Sequence, residues 1–368
     1  MSREAAIVGV AESDLGHTRL SVLDLHTQAI TRALADAGLS LSDVDGLATN
    51  AIGRFPVTYL AEHLGLRPRW SDSTFAGGSV GVDYVARAAH AIERGDAELV
   101  VVSWASNQRS AQSRNLGGVP SEDMPDHRLE APYAPLYPIS FYAMAAHRWM
   151  HQFHRHPEDL AEVAVSARRW ALLNPKAYRH DAGALTVSDV IESPLVSSPL
   201  HTLDCCLVTD GGGAVVLASG MGGIRLLGHG ESTTHASMSQ APDLIVTGAV
   251  ASGRTAFSRA GLSPSDVDVL EVYDSFTITV VLTLESLGFC DPGDGAGFVR
   301  DHILPMNTSG GGLSYCHPGQ MGILLVVEAV RQLRGECAGR QVAGAQIALC
   351  HGTGGIQSHH ATLLLGVK

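Results

Sequence analysis

Two decapeptides constrain this chain more than anything else in it. Gly38-Leu39-Ser40-Leu41-Ser42-Asp43-Val44-Asp45-Gly46-Leu47 recurs as Gly261-Leu262-Ser263-Pro264-Ser265-Asp266-Val267-Asp268-Val269-Leu270, with changes only at Leu41/Pro264 and Gly46/Val269. Each copy follows an alanine-rich helical stretch and precedes a short strand-like segment. Chance does not supply identity of this kind, so the chain reads as a duplicated α/β unit.

The rest of each unit corresponds in form. An apolar strand over residues 5–10 precedes a helix over 21–37, whose Leu25, Ala29, Ala33 and Leu34 fall near helical spacing. Gly38 ends it. Phe75-Ala76-Gly77-Gly78-Ser79 opens a helix over 80–93, followed by a buried strand over 98–104. In the second unit, residues 309–317 open a helix over 319–334, and a strand follows at 346–350. Both units close on a glycine turn and a strand, at 210–218 and 352–365. Alternating strands and helices imply sheets with helices packed against them. A pseudo-twofold between the units would bring both helix N-termini to one central site.

Between the units, residues 110–199 shift in composition. Prolines and aromatics cluster from Pro132 to Pro138, and helices are expected over 139–153 and 160–173. This insertion is too structured for a linker and reads as a lid. Its histidines, His147, His151, His154 and His156, have no clear metal geometry. The expected organisation is a first half at 1–110, the insertion at 111–199, the end of the first half at 200–222 and a second half at 223–368.

Composition narrows the function. Hydrophobic residues make up 45% and charged residues 17%, which supports a buried core and not disorder. The net charge of -12 argues against nucleic acid and against a basic membrane-binding patch. No apolar run reaches the roughly 18–20 residues of a membrane span. The N-terminus lacks a signal-peptide pattern. The six cysteines show no CxxC spacing, so neither a zinc site nor a disulfide framework is expected, and a cytoplasmic location is.

The chemistry concentrates in residues 307–322. Gly310, Gly311 and Gly312 let backbone approach a bound group, and Tyr315, Cys316 and His317 set a phenol, a thiol and an imidazole side by side. Pro318 stiffens the chain before an apolar helix, whose N-terminus favours negative charge. A tight turn with a satisfied histidine is the plain alternative.

Together, the duplicated halves, the excursion between them and the Asn-x-Ser-Gly-Gly…His-Pro stretch resemble the thiolase superfamily. The nearest branch is that of the sterol-carrier-protein or lipid-transfer-protein thiolases. The resemblance covers nearly the whole chain and implies duplicated α/β halves in a layered α-β-α-β-α arrangement with a lid insertion. Residues 199–211 are similar to that branch's segment closing the first half. Tyr273-Asp274-Ser275-Phe276 falls where the branch carries His-Asp-Cys-Phe, and His317 matches the histidine of its Gly-His-Pro motif.

Two departures matter. Thiolases place a nucleophilic cysteine at a helix N-terminus to hold a thiolate, but Phe75 occupies that place, and no cysteine precedes Cys205. Ser275 replaces the second family cysteine. The pattern that remains is similar to lipid-transfer-type aldolases, which cleave β-hydroxyacyl-CoA side chains of steroids without a covalent cysteine. The resemblance then implies Tyr273 or Tyr315 as the base for the hydroxyl proton, with a phenol tuned down from its ordinary pKa of about 10. It implies His317, with His351 as a second candidate, as donor to the thioester oxygen as enolate charge builds. Core packing is the alternative for Tyr273. Coenzyme A, part of the substrate and not a bound cofactor, would run along Asn307, Ser309, Gly310 and Gly311, with Gly354 and Phe75 also contributing. Arg109 would reach a phosphate or sit at the lid hinge. A homodimer through the first-half sheet is expected, with the apolar strand at 98–104 in the interface, and a small zinc-ribbon and OB-fold protein is an expected partner. The competing readings are an acyltransferase with an unusual nucleophile and a non-catalytic acyl-CoA-binding subunit.

Overall fold

The structure, a computed structural model, describes residues 3–113, 124 and 128–367. The parts of the expected lid at 114–123 and 125–127 lie outside the described residues. The first half supplies β1 (Ala5–Glu12), α1 (Val22–Asp36), β2 (Gly46–Ala48), α2 (Pro56–Leu64), β3 (Trp70–Asp72), α3 (Val80–Arg94) and β4 (Leu99–Ser106). The insertion contains α4 (Ile139–Phe153), α5 (Pro157–Ala171), α6 (Val187–Glu192) and β5 (Leu195–Ser197), which forms a small hairpin with β6 (Leu200–His201) just past the expected boundary at 199. Then come β7 (Gly211–Ser219), β8 (Ile224–Thr233), α7 (Ala249–Ala260), β9 (Val269–Val272), α8 (Thr277–Leu287), α9 (Gly295–Arg300), α10 (Gly322–Arg334), β10 (Ile347–Gly354) and β11 (His359–Gly366).

The duplicated decapeptide does the same two jobs twice. Ser40 and Ser263 each open a short 3₁₀ turn, donating backbone N–H and hydroxyl to Asp43 and Asp266 respectively. Asp45 then accepts the N–H groups of Glu98 and Leu99 at the start of β4, and Asp268 accepts those of Gln346 and Ile347 at the start of β10. The aspartate thereby aligns β2 parallel to β4, and β9 parallel to β10. Val44 and Val267, between the paired aspartates, are buried.

One half-sheet runs β3-β2-β4-β7-β1 and the other β9-β10-β11-β8. Antiparallel pairing of Ala6 and Ile7 with Arg225 and Ile224 splices them into one nine-stranded sheet. Helices α1 and α2 cover one face of the first half-sheet, packing on Val8, Val101 and Val216. Helices α3 and α10 fill the space between the half-sheets, against Val100, Val102, Val215 and Leu217 on one side and Ala348, Cys350, Leu363 and Leu365 on the other. Helices α7 and α8, backed by α4 and α5, cover the outer face of the second half-sheet. This is the expected five-layered α-β-α-β-α order.

The strand expected at the dimer interface is corrected. β4 lies between β2 and β7, buried over nearly its whole length, and its valines face the helices on both sides. Its apolar composition follows from burial inside a sheet. The edge strand of the first half is the short β3.

Candidate active site

The two central helices begin against one another. A Cβ at Gly81 of α3 would lie 2.4 Å from the Ile323 nitrogen, and one at Gly322 of α10 would lie 2.6 Å from the Gly78 carbonyl oxygen. Only glycine permits backbones this close. Into the gap left at Gly78 comes the ring of Tyr273, which a Cβ there would meet at 2.5 Å.

Tyr273 follows β9, and its N–H donates to the His351 carbonyl. Its phenol oxygen lies 2.9 Å from Nε2 of His317 and 3.3 Å from the Gly319 carbonyl oxygen, and the two rings meet edge to face. Both residues are buried. His317 is held by its own backbone: its N–H donates to the Thr209 hydroxyl (3.0 Å), and its carbonyl accepts from Gln108 Nε2 (2.8 Å). Thr209 and Gln108 belong to the first half, so the imidazole of the second half is aimed by the first.

Residues 311–315 form a wide turn instead of a simple loop, closed by Cys316 N–H donating to the Gly311 carbonyl with π-type spacing. The carboxylate of Asp274 sits inside it and accepts from the N–H groups of Gly312 (2.6 Å) and Leu313 (3.1 Å). A Cβ at Gly311 would lie 2.2 Å from that carboxylate. Burial pushes Asp274 up to about 7, against the pull of the two N–H donors. Sequence reasoning passed over Asp274, Thr209 and Gln108. An acidic residue beside Tyr273, facing a run of glycines, was the available signal for the first. Nothing in the sequence marked the other two.

The remaining candidates lie elsewhere, and the expectations for them are corrected. Tyr315 is buried beside the Glu12–Arg331 ion pair. Burial, and then the Glu12 charge, push its phenol well above the ordinary value, the opposite of what a base needs. Burial alone would raise Glu12, but Arg331 and Lys176 hold it at about 2, so it stays charged. His351 points to the outer face of β10, where Nδ1 meets the Thr362 hydroxyl (2.9 Å) and Nε2 meets His360 Nδ1 (3.1 Å). Because His360 Nε2 lies on the Gln357 carbonyl, that nitrogen carries the proton, and His351 must donate from Nε2 and accept at Nδ1. Both its nitrogens are thus engaged away from Tyr273, and burial drives it well below its ordinary pKa.

The expected coenzyme A track is also turned inward. Asn307 accepts from Val272 N–H, Ser309 accepts from Asn174 through its carbonyl, and a Cβ on Gly310 would strike Ala171 at 2.7 Å. Gly354 backs the α3 entrance, where its Cβ would lie 1.7 Å from the Ala76 oxygen. Phe75 is 70% exposed.

A cavity of about 790 Å³ does open beside the wide turn. Leu313, Leu207, Val208 and Phe276 line it, and the insertion adds Ile139, Tyr178, Arg179 and Val196. Arg109 stands on its wall over the Tyr178 ring. Tyr273 and His317 are not among its lining residues; Gln108, which lines it, bonds the His317 carbonyl and connects the two. The Tyr178 and Arg179 N–H groups donate to the carbonyls of Tyr315 and Ser314, so the insertion is fastened to the wide turn at 311–315.

Fold and site together define a thiolase-type protein without a thiol at the nucleophile position. Residues 230–367 match the model of the thiolase C-terminal domain-like family. The chain is 34% identical to the 17-hydroxy-3-oxo-4-pregnene-20-carboxyl-CoA lyase of Mycobacterium tuberculosis, over 96% of this chain and 97% of that protein. It is 30% identical to an acetyl-CoA acetyltransferase of Methanothermobacter thermautotrophicus, over 97% and 99%. A solved structure described as the Ltp2-ChsH2(DUF35) aldolase superposes with a TM-score of 0.89 at 29% identity, covering 99% of this chain and 97% of that one. The chain belongs to the thiolase superfamily, in the thiolase-like branch that includes steroid side-chain-cleaving aldolases.

Proposed function

We propose that this protein is an acyl-CoA carbon–carbon lyase that cleaves a β-hydroxyacyl-CoA with a bulky, steroid-like acyl part by a retro-aldol reaction. The observation that carries this reading is the 2.9 Å pairing of Tyr273 with His317 at the abutting helix entrances, where Gly78 faces the Tyr273 ring and no cysteine precedes Cys205 in the chain. The substrate hydroxyl gives its proton to Tyr273 as the phenol passes its own to His317 Nε2. The bond between the α- and β-carbons breaks, and its electron pair stays on the thioester fragment as an enolate. The β-carbon departs as a carbonyl compound. The proton returns from His317 through Tyr273 to the α-carbon, which gives the shortened acyl-CoA. The imidazolium formed meanwhile offsets the enolate charge in a dry site, where such compensation is worth several kcal/mol.

Thiol chemistry fits poorly. Burial pushes Cys316 up to about 12 and Cys350 well above its ordinary value, so neither supplies a thiolate. The mostly apolar cavity supports a hydrophobic acyl group, and Arg109 and Arg179 on its wall suit the phosphates of coenzyme A. A zinc-ribbon and OB-fold partner is part of this reading, supported by the two components named for the Ltp2-ChsH2(DUF35) aldolase. So are a homodimer and a cytoplasmic location; among the described residues no helix is long and apolar enough to cross a membrane.

The test is incubation with matched β-hydroxyacyl-CoA and β-ketoacyl-CoA substrates, with and without free coenzyme A and the partner. Release of shortened acyl-CoA from the hydroxy substrate without added coenzyme A is expected. Cleavage confined to the keto substrate and dependent on free coenzyme A would overturn the proposal.

A further inference from the structure

We propose a second site, for a first-row divalent metal ion of the zinc type, formed by Asp83, His229 and Glu231 between α3 and β8. His229 and Glu231 are two apart on β8 and so share the strand face that meets α3. Among the described residues they form, with Asp83, the one grouping of potential ligands whose atoms all lie within 4.8 Å of each other. Asp83 is fully buried, one turn into the helix whose N-terminus abuts the Tyr273 site.

An oxygen of Asp83 gives the second observation. Oδ1 lies 3.2 Å from His229 Nε2, but Oδ2 has no hydrogen-bond partner despite its burial. Its neighbour is His359 Nδ1 at 3.7 Å, a nitrogen that already meets the Ser79 hydroxyl at 2.9 Å. A buried carboxylate oxygen left without a donor is costly, and a cation held by both Asp83 oxygens would give it a partner. Two ligand atoms held at the usual zinc distances and a tetrahedral angle lie about 3.3 Å apart, close to the Asp83–His229 separation.

Glu231 completes the set by rotation, because its side chain is half exposed. It now pairs with Arg87 at 3.1 Å, but Arg87 also donates to the Thr74 hydroxyl (3.0 Å) and lies 3.6 Å from Asp72. Releasing Glu231 therefore leaves no stranded guanidinium. A cavity of about 270 Å³, lined by Arg87, His90, His229, Glu231, Thr255 and Arg259, gives access. An imidazole with two carboxylates suits zinc and cobalt better than a hard cation such as Mg²⁺. A bound ion would clamp the central helix of the first half to the sheet of the second.

The experiment uses the full chain, stripped with a chelator and titrated with Co²⁺. One equivalent is expected to give a visible ligand-field band that Zn²⁺ abolishes, and Zn²⁺ should raise the thermal midpoint where Mg²⁺ does not. Glu231→Gln and His229→Gln should each weaken Co²⁺ binding about tenfold or more. Glu231→Gln, at a half-exposed position, should leave the metal-free circular dichroism and midpoint unchanged. His154→Ala/His156→Ala should bind as the parent does. Absence of the band, or binding as strong as the parent's in both glutamine variants, would overturn the proposal, as would loss of binding in the His154/His156 control alone.

Discussion

The phenol of Tyr273 reaches His317 only because residue 78, on the opposite helix, has no side chain. A Cβ there would meet the ring at 2.5 Å and the Thr353 carbonyl oxygen at 2.6 Å. The functional group and the space it occupies come from different halves of the chain.

This separates the two tyrosines experimentally. Tyr273→Phe removes the oxygen bonded to His317 and should lower kcat at least about tenfold with little change in KM. Tyr315→Phe alters a phenol beside Glu12 and Arg331 and should keep kcat within about twofold. Steady-state kinetics on a β-hydroxyacyl-CoA read both, and equal losses in the two variants would refute the assignment of Tyr273.

Asp274 predicts a stability profile. Its folded value, raised by burial from 3.8 to about 7, means that the native state binds its proton more tightly than the unfolded chain does. Its contribution is therefore complete below pH 3.8 and is lost as the pH rises toward about 7. Denaturant unfolding of the parent, relative to Asp274→Asn, should lose up to about 1.4 kcal/mol per pH unit across that window. A pH-independent difference would show that Asp274 titrates normally.

Asp45 and Asp268 should behave as equivalents. Replacing either with alanine strips acceptors from two strand-opening N–H groups, which costs about 1–3 kcal/mol. The two effects should add, since the sites share no partner. Urea melts of the single and double variants decide this; a silent Asp268→Ala would break the equivalence of the halves.

Iodoacetamide should leave turnover intact, because Cys316 and Cys350 are buried and far from thiolate form. Mass spectrometry after alkylation should find modification without inactivation. Stoichiometric inactivation tracking one cysteine would restore a thiol-based mechanism.

The duplication made most of the fold legible, since the paired aspartates repeat the same strand alignment and the alternation of elements prescribes the layers. His317 and Tyr273 were legible through the motifs they occupy. Tyr315 and His351 were misread for a common reason: neighbours in sequence need not share a direction. Cys350 and Gly352 face α10 and α3, while His351 between them faces Thr362 on the outer side. The wide turn at 311–315 likewise points Tyr315 at Glu12 while His317 meets Tyr273. Ser309, Gly310 and Gly311 looked like a ligand track, but the glycines serve the approach of Ala171 and Asp274, a contact between distant segments that no local pattern encodes.

The abutment of α3 and α10 means that the two halves make unequal gifts to one buried junction. The first brings vacancy, as side chains withheld at Gly78 and Gly81, and the second brings the phenol of Tyr273 and the imidazole of His317. A fragment bearing either half alone inherits a mould or its filling, never both, and drift in the seam between them would part phenol from imidazole without altering either.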